Sequence, residues 1–323
     1  MNFLCSKVYK KTIPFVKSFQ QSIVDNLSFY SFFVSLCGFH LHETSLTVTE
    51  DMICFPNAKI NLGLLVTERR PDGYHNLETV FYPVPVRDAL EIIPLTDGND
   101  YRLKVSGQMS DTDHENNLVT KAFRLLQSHF SLAPCDVYLR KAIPSGAGLG
   151  GGSSDAAFML KLISEVQGLN LSDTDLERYA SILGSDCPFF IRNKPVFAKG
   201  TGNVFKDTTV SLNGLHMVLV KPEFNVSTVE AYSMIKPEHP EISLDELLKE
   251  PVEKWKNIIF NDFEKGVFEK FPFIKNIKQH LYEKGAVFAL MTGSGSAVYG
   301  LFEQPVDLSM DFKDCFYWNG ILL

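Results

Sequence analysis

The run Pro144-Ser145-Gly146-Ala147-Gly148-Leu149-Gly150-Gly151-Gly152-Ser153-Ser154-Asp155-Ala156-Ala157 constrains this chain more than any other stretch. It stands between a strand candidate at 136–142 and an alanine-rich segment, 153–166, with helical spacing. Glycine removes the Cβ that keeps a ligand away from main-chain N–H groups, and a helix that begins there offers unpaired donors and the positive end of its dipole. The chemistry is that of a phosphate cradle. Ser153 and Ser154 either cap the helix or give their hydroxyls to phosphate or to a magnesium shell. No Gly-Lys-Ser/Thr comes after it, so the loop is not of the Walker type. A flexible linker is the competing reading, and the apolar strand and alanine-rich helix on either side speak against it.

The remaining chain reads as mixed α and β. Strand-like segments at 58–66 and 75–84 flank Thr67-Glu68-Arg69-Arg70-Pro71-Asp72-Gly73-Tyr74, where Pro-Asp-Gly signals a turn, so a hairpin is expected. Further strands are expected at 89–94, 101–106, 215–221, 286–291 and 297–302. Helices are expected at 117–129, 173–183, 227–235, 261–270 and 273–284. A boundary near 210–215 divides the chain into 52–212 and 213–323. Residues 1–51 lack the hydrophobic patterning that begins at Met52; they read as a leader outside the fold, with Met52 as the true initiator. That leader is too interrupted for a membrane span and lacks the cleavage site of a signal peptide.

Composition excludes several functions. With 45% hydrophobic and 21% charged residues the chain builds a globular core, and its formal net charge of −7 provides no field for nucleic acid. The six cysteines are scattered without a C-x-x-C pair, which fits a reducing cytoplasm and neither a zinc site nor a disulfide framework. Composition expresses no preference between monomer and homodimer, and no membrane partner is expected.

Three motifs in order carry a resemblance. Asn57-Ala58-Lys59-Ile60-Asn61-Leu62-Gly63-Leu64 precedes the glycine loop, and Met291-Thr292-Gly293-Ser294-Gly295-Ser296-Ala297 comes after it. Together they resemble the GHMP kinases. The resemblance implies an α+β fold of two domains, the first like domain 2 of ribosomal protein S5 and the second ferredoxin-like, with the active site between them. It also implies ATP as co-substrate with Mg2+, bound by the run from Pro144 to Ser154. Lys59 and Asp186, the latter in Leu183-Gly184-Ser185-Asp186-Cys187-Pro188, fall on the family's catalytic pair. A carboxylate that takes the proton of an alcohol beside a charge-stabilising lysine suits in-line attack on a γ-phosphorus. Cys187 reads as a small buried side chain.

Within the family, the Lys59 motif followed by Asp72-Gly73-Tyr74-His75 resembles the branch whose acceptor is a cytidylyl-methylerythritol. That implies Tyr74 stacked on the cytosine, His75 on its polar edge, Asn61 at the polyol end and Phe224 as the second aromatic face. Kinases of mevalonate or homoserine type, and a non-catalytic binding protein on the same scaffold, are the alternatives.

Overall fold

A computed structural model describes residues 52–95, 101–107 and 114–322; the expected leader at 1–51 lies outside them. The organising unit is a long antiparallel hairpin, β2 (Asn57–Arg69) with β3 (His75–Arg87), turning at the expected Pro71-Asp72-Gly73. β2 is buried on both faces as far as Leu64, which is why its sequence is apolar almost without alternation. The hairpin extends into a four-stranded sheet, β2-β3-β7-β8, through β7 (Val196–Lys199) and β8 (Val204–Asp207).

A second sheet contains β1 (Met52–Cys54), β4 (Ala89–Pro94), β5 (Arg102–Gly107) and β6 (Cys135–Lys141), in the order β1-β4-β6-β5 with β5 and β6 parallel. Against it pack α1 (Leu118–Gln127), α2 (Gly151–Val166) and α3 (Asp173–Leu183). Their starts obey local chemistry: Asn117 accepts from Val119 N–H, and Ser172 with Asp175 forms a reciprocal capping box. The short α4 (Cys187–Arg192) continues into the same core through Phe189 and Phe190.

The third sheet holds β9 (His216–Pro222), β10 (Phe288–Met291), β11 (Val298–Phe302) and β12 (Cys315–Ile321) in the order β10-β11-β9-β12, all antiparallel. Read along the chain, this is the ferredoxin-like order. The crossover from β9 to β10 carries α5 (Thr228–Ser233), α6 (Leu244–Leu247), α7 (Val252–Trp255), α8 (Phe263–Lys270) and α9 (Pro272–Glu283). The second crossover, 303–314, contains no helix.

One apolar layer joins the first and third sheets: Ile60, Leu62 and Val80 on one side meet Leu219, Leu290 and Tyr299 on the other. Leu244, Trp255 and Ile259 join this layer, and Leu64 exchanges backbone hydrogen bonds with Phe260 and Asp262 at the free edge of β2. We propose the division at 212/213 as one of chain path, since packing across it is continuous.

Candidate active site

A cleft of about 1220 Å³ opens between the hairpin, the glycine loop, the start of α4, α5 and the 292–296 loop. The glycine loop reaches it through Gly146, Gly148, Gly150 and Ser153. Gly148 has φ +75°, and a Cβ there would stand 2.1 Å from the Thr292 carbonyl oxygen, so only glycine permits this approach of the two loops. Gly150, also left-handed at φ +68°, caps α2 without a side-chain acceptor. First-turn N–H groups of a 16-residue helix therefore begin at the cleft with no side-chain cap.

The expected loop set is only partly in the cleft. Pro144, Ala147, Leu149 and Ser154 are buried behind it, and Ser145, Gly151 and Gly152 do not line it. In an irregular strand-to-helix turn, the side that meets the cavity alternates with the side that meets the core.

Lys59 and Asp186 come together as expected: Lys59 Nζ lies 3.6 Å from Asp186 Oδ2. The lysine is 3% exposed, under the Phe81 ring at 4.8 Å from its centroid, while the Asp186 side chain is 31% exposed to the cleft. Burial pulls the Lys59 ammonium below its ordinary value, and the neighbouring Asp186 charge offsets part of this. Lys59 Nζ also donates to Asn61 Oδ1 at 2.6 Å. The main chain fixes the lysine against the glycine loop, because Lys59 N–H donates to Leu149 C=O at 2.9 Å.

Asn61 is tied on every side. Its Nδ2 donates to Thr79 Oγ1 at 2.8 Å, its N–H to Thr292 Oγ1 at 3.1 Å, and its carbonyl accepts from Tyr299 at 2.9 Å. Thr292 Oγ1 also lies 3.2 Å from Gly148 C=O. Thr79 and Thr292 thus orient Asn61, a role the sequence did not announce, although Thr292 stands inside one of its three motifs.

At the other end of the cleft Tyr74 is 67% exposed and His75 stacks on Tyr232, ring centroids 4.8 Å apart and planes 25° from parallel. Burial first, and then nearby Arg69, holds His75 below the usual imidazole value, which favours the neutral ring at pH 7. Tyr232 lines the cleft; Phe224 does not. The Phe224 ring instead stacks on Phe271, centroids 5.6 Å apart, and meets Phe273 edge-on. Phe224, expected as the second aromatic face, thus packs away from the cleft, and the aromatic residue that meets the hairpin there is Tyr232. Its signal was its place four residues after Thr228 on one helix, which brings both to the same face.

Behind the loop sits a buried cluster. Lys141 Nζ bonds Asp155 Oδ2 at 2.5 Å and also Asp88, whose Oδ1 accepts from the N–H groups of Ala142 and Ile143. The cluster joins the strand entering the loop to the first turn of α2. Burial, the dominant cause, pushes the Asp155 carboxyl up to about 8, and Asp155 Oδ1 and Ser154 Oγ have no hydrogen-bond partner.

Among the described residues no group of three or more His, Cys, Asp or Glu is arranged to hold a metal ion, and no helix is long and apolar enough to cross a membrane.

Comparison with known proteins places these features in a family. Residues 117–194 match the GHMP kinases N terminal domain and residues 243–309 the GHMP kinases C terminal domain. A 4-diphosphocytidyl-2-C-methyl-D-erythritol kinase of Bacteroides fragilis is 58% identical over 267 residues, 82% of this chain and 97% of that protein. The kinase of the same name from Parabacteroides distasonis is 54% identical over 273 residues, 84% of this chain and 100% of that protein. A crystal structure of 4-(cytidine 5'-diphospho)-2C-methyl-D-erythritol kinase superposes with a TM-score of 0.70 at 29% identity, covering 83% of this chain and 98% of that one. Homoserine kinase from Cytophaga hutchinsonii shares the fold, with a TM-score of 0.58 at 15% identity over 87% of this chain and 96% of that one.

Proposed function

This chain belongs to the 4-diphosphocytidyl-2-C-methyl-D-erythritol kinases of the GHMP family, and we propose that its cleft moves the γ-phosphoryl group of ATP onto the 2-hydroxyl of 4-diphosphocytidyl-2-C-methyl-D-erythritol. The reaction serves the methylerythritol phosphate route to isoprenoid precursors. The observation that carries the residue-level reading is the Lys59–Asp186 pair at 3.6 Å, placed between a glycine cradle and an aromatic end in one cleft.

The triphosphate lies along Gly146, Gly148 and Gly150, its charge met by main-chain N–H groups at the start of α2. The acceptor hydroxyl stands between Asp186 and the γ-phosphorus. Asp186 takes the hydroxyl proton as the oxygen–phosphorus bond forms, the bond from γ-phosphorus to the bridging oxygen breaks, and ADP leaves with that electron pair. Lys59, whose ammonium form burial disfavours and Asp186 favours, stabilises charge on the transferring group. Asn61, fixed by Thr79 and Thr292, orients the polyol. Tyr74 and Tyr232 supply aromatic surface for the cytosine, and His75 addresses its polar edge. Each such stacking contact is worth about 1–3 kcal/mol, which favours a cytidylyl acceptor over a bare polyol.

The cleft lining contains one carboxylate, Asp186, and the Ser153 hydroxyl. With Asp186 committed to Lys59 and the acceptor proton, the Ser153 hydroxyl would be the protein's contribution to a magnesium ion, which would supply neutralisation of triphosphate charge. The free thiols of Cys187 and Cys315 fit a cytoplasmic enzyme.

An assay of ADP release tests the reading. Turnover is expected with the cytidylyl acceptor and not with mevalonate or homoserine; equal turnover with either of the latter overturns the assignment of the aromatic end.

A further inference from the structure

The proposed acceptor carries a diphosphate between its base and its polyol, and the cleft holds two cations that phosphoryl transfer does not use. Its lysines and arginines are Lys59, Arg69 and Lys236, and its one carboxylate, Asp186, is paired with Lys59. Outside that pair the lining carries two positive charges and no negative one, in a chain whose net charge is −7.

The two cations stand on adjoining segments. Arg69 ends β2 and is the register partner of His75, so it stands beside the aromatic end. Lys236 lies just past α5, four residues beyond Tyr232. The Glu238 N–H donates to Val66 C=O at 3.1 Å, which ties the Lys236 segment to β2 three residues before Arg69. Neighbouring charges are already engaged: Arg70 holds Asp72, and Glu68 accepts from Asn76. Among the described residues neither Arg69 nor Lys236 forms an ion pair, although Arg70, next in sequence, does.

We infer that Arg69 and Lys236 form a diphosphate subsite that reads the phosphate bridge of the acceptor, a specificity element separate from the base site and from the Lys59–Asp186 pair. The inference rests on the cytidylyl reading. A guanidinium and an ammonium lining one cleft from adjoining segments suit a flexible pyrophosphate diester, the first by forked donation and the second as a point charge. The site adds affinity without touching the reacting hydroxyl.

Titration calorimetry with cytidine and with CDP, in the presence of excess non-hydrolysable ATP analogue to fill the nucleotide cradle, tests it on the wild type and on the R69Q/K236Q variant. The wild type is expected to prefer CDP over cytidine by about tenfold, from two exposed charge contacts, and the preference is expected to shrink with salt. In R69Q/K236Q the preference disappears while cytidine affinity is unchanged. An undiminished CDP preference in the variant overturns the subsite and leaves the base site standing. Failure of the wild type to bind either ligand overturns the base site, and the subsite with it.

Discussion

Replacing Asp155 by Asn probes the buried cluster behind the glycine loop through its pH dependence. Asp155 is 2% exposed, and burial pushes its carboxyl from 3.8 to about 8. Between those values the unfolded chain has released a proton that the folded chain keeps, so the native state binds more protons. Stability conferred by this group is therefore complete below the unfolded value and is lost as pH rises toward 8. A full proton of difference is worth about 1.4 kcal/mol per pH unit, or about 3 kcal/mol between pH 5 and 7. Asparagine keeps an oxygen for Lys141 and removes the titration. Urea unfolding of both proteins at pH 5, 6, 7 and 8 and fixed ionic strength gives the difference in unfolding free energy, in which groups common to both cancel. That difference is expected to grow in favour of Asp155→Asn by about 3 kcal/mol from pH 5 to 7. A difference that stays constant across the series would refute the argument that Asp155 retains its proton in the fold.

Three further outcomes are expected. Asp186→Asn keeps both ligand affinities and lowers kcat by about 10²- to 10⁴-fold; near wild-type turnover at saturation would leave positioning by Lys59 as the better account. Tyr232→Ala weakens cytidine binding by about 1–3 kcal/mol with ATP affinity unchanged, whereas Phe224→Ala leaves both unchanged; titrations in which Phe224→Ala has the larger effect would return the second aromatic face to Phe224. Gly148→Ala places a methyl against the Thr292 carbonyl in a left-handed backbone, so ATP titration should show nucleotide affinity falling by more than about tenfold; unchanged ATP affinity would mean that the loops part without consequence.

Where chain-local physics decides structure, the sequence was readable. The turn at Pro71-Asp72-Gly73 set the hairpin, apolar spacing located α1 to α3, and glycine spacing marked the loop that meets the third sheet. Contacts between distant segments were not readable. Phe224 and Tyr232 are aromatic residues eight positions apart, and only the packing of Phe271 and Phe273 decides that the first turns away from the cleft. Lys141, Asp88 and Asp155 have nothing in their individual neighbourhoods to announce a cluster; β4, β6 and α2 bring them together. β7, β8 and β12 are silent in the sequence because four-residue or half-exposed strands lack a long hydrophobic period.

The hydrogen bond from Lys59 N–H to Leu149 C=O separates turnover from recognition. It writes the spacing between the lysine and the triphosphate loop into the peptide backbone, where side-chain exchange does not disturb it. The tip of the same hairpin, carrying Tyr74 and His75, lies beyond Arg69, ten residues farther along β2. On the roles proposed above, remodelling that tip would change acceptor preference while the main-chain spacing at the strand's beginning stays fixed.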